Sequence, residues 1–364
     1  MAATTALYLD NNATAPLRPE AGAAMRAAMG PPSNPSSVHG FGRAARLLVE
    51  GAREDIAMLA GCRAADIVFT SGGTEANNLV LSGFEHVITT AIEHDSVLHA
   101  AAQATLVNVD ADGRIDLDHL AACLAAVPDG RQAQTLLSVM MANNETGVIQ
   151  PVDAVVEMAR AADIAVHSDM VQMLGKAHLD FAGSVLDYAS ISAHKIGGPT
   201  GIGAVLVRPG NRLTSLLRGG GQEQGRRSGT ENVLGIAGFG AAARAGFDDV
   251  GLFRQMAGWR DAFETQMRTM RDDVTIFGSG ADRIANTSCI AVGEKPSEVM
   301  VMALDIAGIA VSAGAACSSG KVHESHVLKA MQAGTGASRA VRISGGWQSQ
   351  AADFERLAEV LRDL

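Results

Sequence analysis

The chain has 364 residues, of which 39 are acidic and 29 are basic, so its formal net charge is -10. This negative balance disfavours a nucleic-acid-binding face, and the aromatic content of 4% leaves few rings that could stack on bases. Hydrophobic residues make up 47% of the chain, enough for a sizeable core. The length predicts two domains, or one large domain with a smaller one attached.

The cysteines are far apart in the sequence and form no C-x-x-C pair. Such spacing favours a reduced cytoplasmic protein over a disulfide scaffold, and it predicts no zinc or other metal site. The N-terminal residues lack the basic and apolar regions of a signal peptide. The apolar stretch 299–316 contains Asp305 and is too polar to predict a membrane span. We therefore expect a cytoplasmic protein with no membrane partner.

Helical and extended patterns alternate through the first two-thirds of the chain. Strands separated by helices predict an α/β fold with a mainly parallel sheet and helices on both faces. The first candidate strand runs into a helix at 74–81, and Gly113 marks a turn at 110–116. The candidate strands are residues 66–70, 86–90, 104–109, 135–141, 164–167, 188–192 and 203–207.

The pattern changes after about residue 250. An amphipathic pattern at 252–270 predicts a long connecting helix, and short apolar segments at 275–279, 288–292 and 309–312 predict further strands. We expect residues 15–250 to form the large domain. Residues 1–14 and 251–364 then form a smaller α+β domain.

Asp169 and Lys195 each follow an apolar run, so we expect both at the carboxyl ends of strands, where α/β sheets bind ligands. A lysine that forms an imine and a carboxylate that pairs with a ring nitrogen are what pyridoxal 5'-phosphate (PLP) requires. A single lysine is usually a solvated surface charge. The prediction of a PLP site therefore depends on the motifs around these two residues.

Several other motifs can complete such a site, although each has an ordinary structural explanation. The glycine turn S-G-G-T-E-A-N-N at 71–78 opens a helix and can bind a phosphate, but tight turns are common. His94 can stack on an aromatic cofactor, and Arg342 can bind a carboxylate. Asn143 and Asn144 can donate to a phenolic oxygen or a carboxylate, or simply cap a turn. The loop 222–230 contains two adjacent arginines that can wrap an anion or reach a second subunit.

Cys317 differs from the other cysteines because small residues surround it, in V-S-A-G-A-A-C-S-S-G. Cys123 and Cys289 lie in apolar runs, which are typical of buried structural cysteines. A nucleophilic thiolate must be accessible and able to move to its target. Cys317 is therefore the candidate nucleophile.

Taken together, these motifs resemble the cysteine desulfurases, in the class V branch of fold-type-I PLP enzymes. The resemblance extends over nearly the whole chain, from Y-L-D-N-N-A-T at 8–14 to S-H-V-L at 325–328. S-A-H-K at 192–195 is typical of the PLP group, and the loop A-C-S-S-G favours desulfurases over their aminotransferase relatives.

The resemblance implies a role for each matching residue. L-cysteine would be converted to L-alanine while Cys317 receives the sulfur as a persulfide, for an iron–sulfur scaffold protein or another sulfur acceptor. Lys195 would bind PLP and move the Cα proton, and His94 would stack on the ring and assist proton transfer, so the implied catalytic residues are Cys317, Lys195 and His94. The implied cofactor ligands are Gly73, Thr74, His94, Asn144, Asp169, Gln172, Ser192, His194, Lys195 and, from the second subunit of a homodimer, Thr230; Asn144 and Arg342 would bind the substrate.

Two positions depart from the family pattern. The chain reads R-I-S-G-G-W at 342–347, where R-x-S-L-G-R is usual, so Trp347 replaces an arginine. Met170 lies beside Asp169 where a small residue is usual, and we expect it to be tolerated because Asp169 and Gln172 keep their spacing.

Two alternative functions share most of these residues. Another class V PLP enzyme, such as an aminotransferase or a selenocysteine lyase, would share the Lys195 site and differ in its use of Cys317. A sulfur carrier or scaffold that kept the fold without the chemistry is disfavoured by the intact Asp169, Gln172 and Lys195.

Overall fold

The computed structural model describes residues 6–30, 32–314 and 324–364. Its strands are β1 (Leu7–Tyr8), β2 (Ile67–Thr70), β3 (His86–Thr90), β4 (Thr105–Val107), β5 (Thr135–Ser138), β6 (Ala165–Asp169), β7 (Tyr188–Ser192), β8 (Gly203–Val207), β9 (Val274–Phe277), β10 (Thr287–Val292), β11 (Ile309–Ala310), β12 (Ser312–Ala313) and β13 (Val341–Ser344). Its α-helices are α1 (Pro19–Ala28), α2 (Gly40–Ala60), α3 (Gly73–Leu81), α4 (Asp95–Leu98), α5 (Leu117–Ala125), α6 (Val152–Ala161), α7 (Val233–Phe247), α8 (Val250–Met270), α9 (Ser297–Ile306), α10 (His326–Ala330) and α11 (Ala351–Asp363).

Strands β2 to β8 form one seven-stranded sheet in the order β2-β8-β7-β6-β5-β3-β4. The pairs from β7 through β6, β5 and β3 to β4 are parallel, whereas β8 is antiparallel to both of its neighbours. This confirms the predicted α/β fold with a mainly parallel sheet. Because parallel strands end at the same edge, the last residues of β6 and β7, Asp169 and Ser192, lie at one edge of the sheet.

Both faces of this sheet are covered, so both faces of a strand such as β2 carry buried apolar side chains. Ile67 and Phe69 of β2 belong to a core shared with α2 and α7, while Val68 belongs to a second core shared with α3. Successive side chains of a strand point to opposite faces, so a strand covered on both sides has no solvent-exposed face.

The C-terminal part contains an antiparallel sheet in the order β12-β13-β10-β9. Helices α8 and α11 pack against each other beside it, and its separate core includes Phe263 and Leu357. The N-terminal segment joins this part, because β1 pairs with β11 and Leu9 lies in the same core. The exact division of the chain into two domains remains a prediction.

One predicted strand, 309–312, is two strands in the structure. Residues 309–310 form β11 against β1, whereas β12 begins at Ser312 and pairs with β13 in the other sheet. The apolar run is continuous, so the sequence pattern does not reveal that the chain changes partner at Val311. In the described part of the chain, no helix combines the length and the apolar character needed to cross a membrane.

Candidate active site

A cavity of about 290 Å³ lies at the carboxyl edge of the seven-stranded sheet. Its lining includes main-chain and side-chain groups from the start of α3, the end of β6, the turn after β7 and β13. Asn12, Asn77 and Ser96, which sequence reasoning did not identify, also line it. The residues expected from the sequence that line this cavity are Gly73, Thr74, His94, Asn144, Asp169, Gln172, Ser192, His194, Lys195 and Arg342.

Two of the expected residues are not found in this cavity. Thr230 is exposed and lines a separate cavity together with Ser71. Cys317 lies outside the described residues. Gly314, the last described residue before Cys317, lines the main cavity. Ser325, which follows Cys317 in the sequence, donates to Glu145 Oε2 at 2.6 Å.

Lys195 ends a short 3₁₀ turn, Ala193–Lys195, that directly follows β7. Its Nζ donates to the main-chain oxygens of Asn12 at 2.5 Å and Ala13 at 2.9 Å. Burial, with a further contribution from Lys195, lowers the pKa of the neighbouring His194 to about 4. His194 is therefore neutral at pH 7 and brings no positive charge to the site.

Asp169, Asn77, Ser96 and His94 form a continuous chain of hydrogen bonds along one side of the cavity. The Asn77 amide nitrogen donates to Asp169 Oδ2 and to Ser96 Oγ, both at 2.8 Å. Ser96 Oγ lies 2.8 Å from His94 Nδ1. Asp169 Oδ1 in turn accepts from the main-chain N–H of Val171 at 3.0 Å, so both carboxylate oxygens have donors.

The hydrogen on the His94 ring can be assigned from this geometry. The main-chain N–H of Ser96 lies 3.0 Å from His94 Nδ1, and a main-chain N–H can only donate. Nδ1 therefore accepts, and the neutral ring has its hydrogen on Nε2. His94 lines the cavity as a hydrogen-bond donor.

Arg342 is the cation of the opposite side of the cavity and is only 4% exposed. Its guanidinium donates to Asp10 Oδ1 at 2.6 Å and to the main-chain oxygen of Asn144 at 3.3 Å. Its buried Nε has no partner among the described residues. Arg342 thus retains donor capacity for a bound anion, in competition with Asp10.

The residues of the cavity fit PLP. Helix α3 begins after Gly72, whose φ of +154° favours glycine, and no side chain caps its first turn. A Cβ on Gly73 would lie 3.0 Å from Val171 Cγ2, so glycine leaves this turn open to a phosphate without displacing that side chain. The buried Asn77 Oδ1 also lacks a partner within the described residues, as expected beside a site for a polar ligand.

The remaining motif residues have structural roles. Asn143 is fully buried, and its side chain caps a turn by accepting from the N–H groups of Glu145 and Thr146. Met170 is 1% exposed and packs in the main core without lining the cavity. Trp347 donates to the main-chain oxygen of Pro16.

Known proteins resemble this chain over nearly its whole length. Residues 7–357 match the aminotransferase class-V family. A cysteine desulfurase from Cereibacter sphaeroides is 40% identical over 98% of this chain and 94% of its own length. The structure of a NifS-like protein from Rickettsia africae is 33% identical, covers 99% of this chain and 100% of its own, and superposes with a TM-score of 0.91. A structure titled SspA in complex with cysteine is 27% identical, with a TM-score of 0.77 over 93% of this chain and 98% of its own.

Fold, cavity and relatives thus lead to one conclusion: the chain belongs to the aminotransferase class-V family, among its cysteine desulfurases.

Proposed function

We propose that this protein is a PLP-dependent cysteine desulfurase, which converts L-cysteine to L-alanine and transfers the sulfur to Cys317. One observation carries the proposal: a single cavity joins Lys195, Asp169 and the open first turn of α3. The relative of 40% identity is named a cysteine desulfurase, and one structural neighbour is described in complex with cysteine.

The cavity residues divide into groups that suit the different parts of PLP. Gly73 and Thr74, with Ser192 and His194, would hold the phosphate, and Asp169 would pair with the ring nitrogen. Lys195 would bind the aldehyde carbon, His94 and Asn144 would lie near the ring, and Gln172 would donate to the ring oxygen. When bound, PLP supplies an electron sink for bonds broken at the α-carbon of an amino acid.

The protein residues bind and orient the substrate and move its protons. Arg342 and Asn144 bind the substrate carboxylate, which fixes the α-carbon near Lys195. The amine of Lys195 removes the proton from that carbon. His94 offers Nε2–H as a donor, because Ser96 occupies its Nδ1.

The sulfur transfer balances without an added oxidant. The Cys317 thiolate attacks the substrate sulfur, the carbon–sulfur bond breaks, and carbon gains a proton to become the methyl group of alanine. Cys317 then carries a persulfide, from which an acceptor thiol or a reductant takes the sulfur. We infer that the acceptor is an iron–sulfur scaffold protein or another sulfur-accepting protein.

The other cysteines are poorly suited to this reaction. Cys62, Cys123 and Cys289 are the free cysteines of the described residues. Burial raises the pKa of all three thiols, that of Cys62 to about 12. Since the thiolate is the nucleophile, a raised pKa leaves these thiols less ionised than an ordinary cysteine near neutral pH, which supports Cys317. Free thiols also support a reduced cytoplasmic location.

A second copy of the chain would complete the site. Val38 is 88% exposed, and Phe41 and Leu47 of α2 are 57% and 74% exposed, an apolar surface suited to a partner. Ser36 and Glu231 line one cavity, so the loop that carries Thr230 lies beside this surface. We infer a homodimer in which Thr230 reaches the phosphate site of the second copy. The substitution Leu47→Glu should lower the molar mass measured in solution toward that of the monomer.

Comparison of the Cys317→Ala variant with the wild type tests the function. L-cysteine and a reductant should give equal amounts of alanine and sulfide with the wild type, and neither product with Cys317→Ala, although its PLP absorbance persists. Cys62→Ala is the matched control and should behave as the wild type. Unchanged alanine production by Cys317→Ala would overturn sulfur transfer to Cys317 and favour another class V PLP enzyme, such as a selenocysteine lyase.

A further inference from the structure

Lys176 is a buried lysine beside the cavity that the proposed chemistry does not use. It is 5% exposed, and its Nζ donates to Gln172 Oε1 at 2.7 Å and to Asn12 Oδ1 at 2.9 Å. Both acceptors are neutral amides, and the charged groups that act on it, Lys195 and Arg342, are cations. Burial of an amine among such neighbours costs stability, so a purely structural benefit does not explain this residue.

Main-chain oxygens, which can only accept, orient the two amides that face Lys176, and Asn12 Oδ1 accepts a second hydrogen bond from Asn286 Nδ2 at 3.1 Å. Gln172 Nε2 donates to the Asn12 main-chain oxygen at 3.0 Å, so Oε1 is the atom that faces Lys176. Asn12 Nδ2 donates to the main-chain oxygen of Asn144 at 3.1 Å, so its Oδ1 also faces Lys176. Lys176 donates to the oxygens of both amides and so stabilises this orientation.

The protonation of Lys176 agrees with this arrangement. Burial, reinforced by Lys195 and Arg342, lowers the pKa of Lys176 well below its ordinary value. A neutral amine has two hydrogens to donate, and the two amide oxygens accept them. Asn12 extends the network to the other lysine, because its main-chain oxygen accepts from Lys195 Nζ.

We propose that Lys176 is a positioning residue of the PLP site. It keeps the Gln172 side-chain nitrogen available at the cavity as a donor. Through the Asn12 side chain, it also fixes the position of the Asn12 main-chain oxygen, which accepts from Lys195. The inference deepens the proposed function and rests on it for the identity of the cofactor. The groups that would respond to a change at Lys176 are Lys195, Arg342 and Asp10, which is paired with Arg342.

Lys176→Met tests this role, because methionine has a similar length and volume but no donor. Asn12 Oδ1 keeps its donor from Asn286, whereas Gln172 Oε1 loses the donor from Lys176. We expect the PLP dissociation constant to rise about tenfold, the usual effect of one unsatisfied buried acceptor. The pH midpoint of the visible absorbance band of the loaded protein should also shift. The exposed Lys329, which pairs with Glu324, provides the control Lys329→Met, with neither change.

A double-mutant cycle separates positioning from a general structural effect. If Lys176 acts through Gln172, then Gln172→Leu should weaken PLP binding by itself, and Lys176→Met should add little in that background. Additive losses, or an unchanged dissociation constant in Lys176→Met, would overturn the proposal. If Lys176→Met does not fold, a Gln172→Leu variant with normal PLP affinity and absorbance overturns it as well.

The binding measurements require no turnover. A protein that binds PLP in this Lys176-dependent way but releases no sulfur from cysteine would overturn the proposed function and leave the role of Lys176 standing. Failure of the proposed function can therefore be distinguished from failure of the proposed role of Lys176.

Discussion

The two sides of the cavity are built from the chain in different ways. On the sheet side, the start of α3, the turn after β3 and the residues after β6 and β7 bring Asp169, Lys195 and His94 together. On the opposite side, Asn12 forms a hydrogen bond with Thr287, 275 positions away in the sequence. Asp10 accepts a hydrogen bond from Arg342, 332 positions away. The sheet side therefore depends on local strand topology, whereas the other side exists only when the N-terminal segment and the C-terminal sheet are in place.

Loss of the cation on the opposite side should have the largest effect. In Arg342→Leu, the substrate carboxylate loses its charged partner and Asp10 is left without its ion pair. We expect kcat/KM for L-cysteine to fall about 100-fold, mainly through KM. Steady-state kinetics checks this. Arg339→Leu is the control, since Arg339 interacts with Gly293 and Glu294 away from the cavity; an unchanged KM in Arg342→Leu would assign carboxylate binding to other residues.

Asn77 tests the sheet side, and the adjacent Asn78 is its matched control. Asn77→Ala removes a donor from buried Asp169 and from Ser96, so we expect the free energy of unfolding of the cofactor-free protein to fall by about 1–3 kcal/mol. Asn78 is less buried and donates to Thr74 in its own helix and, at 3.3 Å, to the main-chain oxygen of Ser96, but not to a carboxylate. Asn78→Ala should therefore cost under about 1 kcal/mol. Chemical denaturation measures both, and equal losses would show that the hydrogen-bonded chain from Asp169 to His94 adds no stability.

Glu93, next to His94, should have the smallest effect, visible as a pH dependence. Burial raises the pKa of this fully enclosed carboxyl to about 8. The unfolded chain releases the proton at lower pH, so Glu93 lowers the free energy of unfolding as pH rises from about 4.5 toward 8. Glu93→Gln lacks this titration, and its stability relative to the wild type should increase by the order of 1 kcal/mol between about pH 6 and 8.

Thermal or chemical unfolding at several pH values checks the Glu93 prediction. Glu298, exposed in the first turn of α9, provides the control Glu298→Gln. A difference between Glu93→Gln and the wild type that does not change with pH would mean that Glu93 is ionised in the folded protein across this range.

The sheet side of the site is largely predictable from the sequence, for a physical reason. Asp169 and Lys195 follow apolar runs that favour buried strands, and parallel strands end at the same edge of the sheet. Gly73 and Thr74 follow the same logic at the start of α3. These residues could therefore be grouped before any tertiary contact was known.

The opposite side could be assigned only in part. Arg342 was expected, but its competition with Asp10 depends on docking of the N-terminal segment, which no local pattern encodes. Lysine is usually a surface residue, so the sequence does not indicate that Lys176 is buried. Its hydrogen bond to Asn12 joins residues 164 positions apart in the sequence. Ser96 and Asn77 were missed because their role lies in a side-chain bond between two helices.

Trp347, the departure from the family pattern, has an optical consequence. Its indole lies under the Arg18 guanidinium at 4.9 Å and would be 3.0 Å from a Cβ on Gly197, two residues after Lys195. The chain's other tryptophan, Trp259, packs against Phe354 in the C-terminal core. The intrinsic fluorescence therefore comes from one tryptophan beside the turn that carries Lys195 and from one remote from it. In a Trp259→Phe variant, the emission of Trp347 alone would report cofactor binding, without any attached dye.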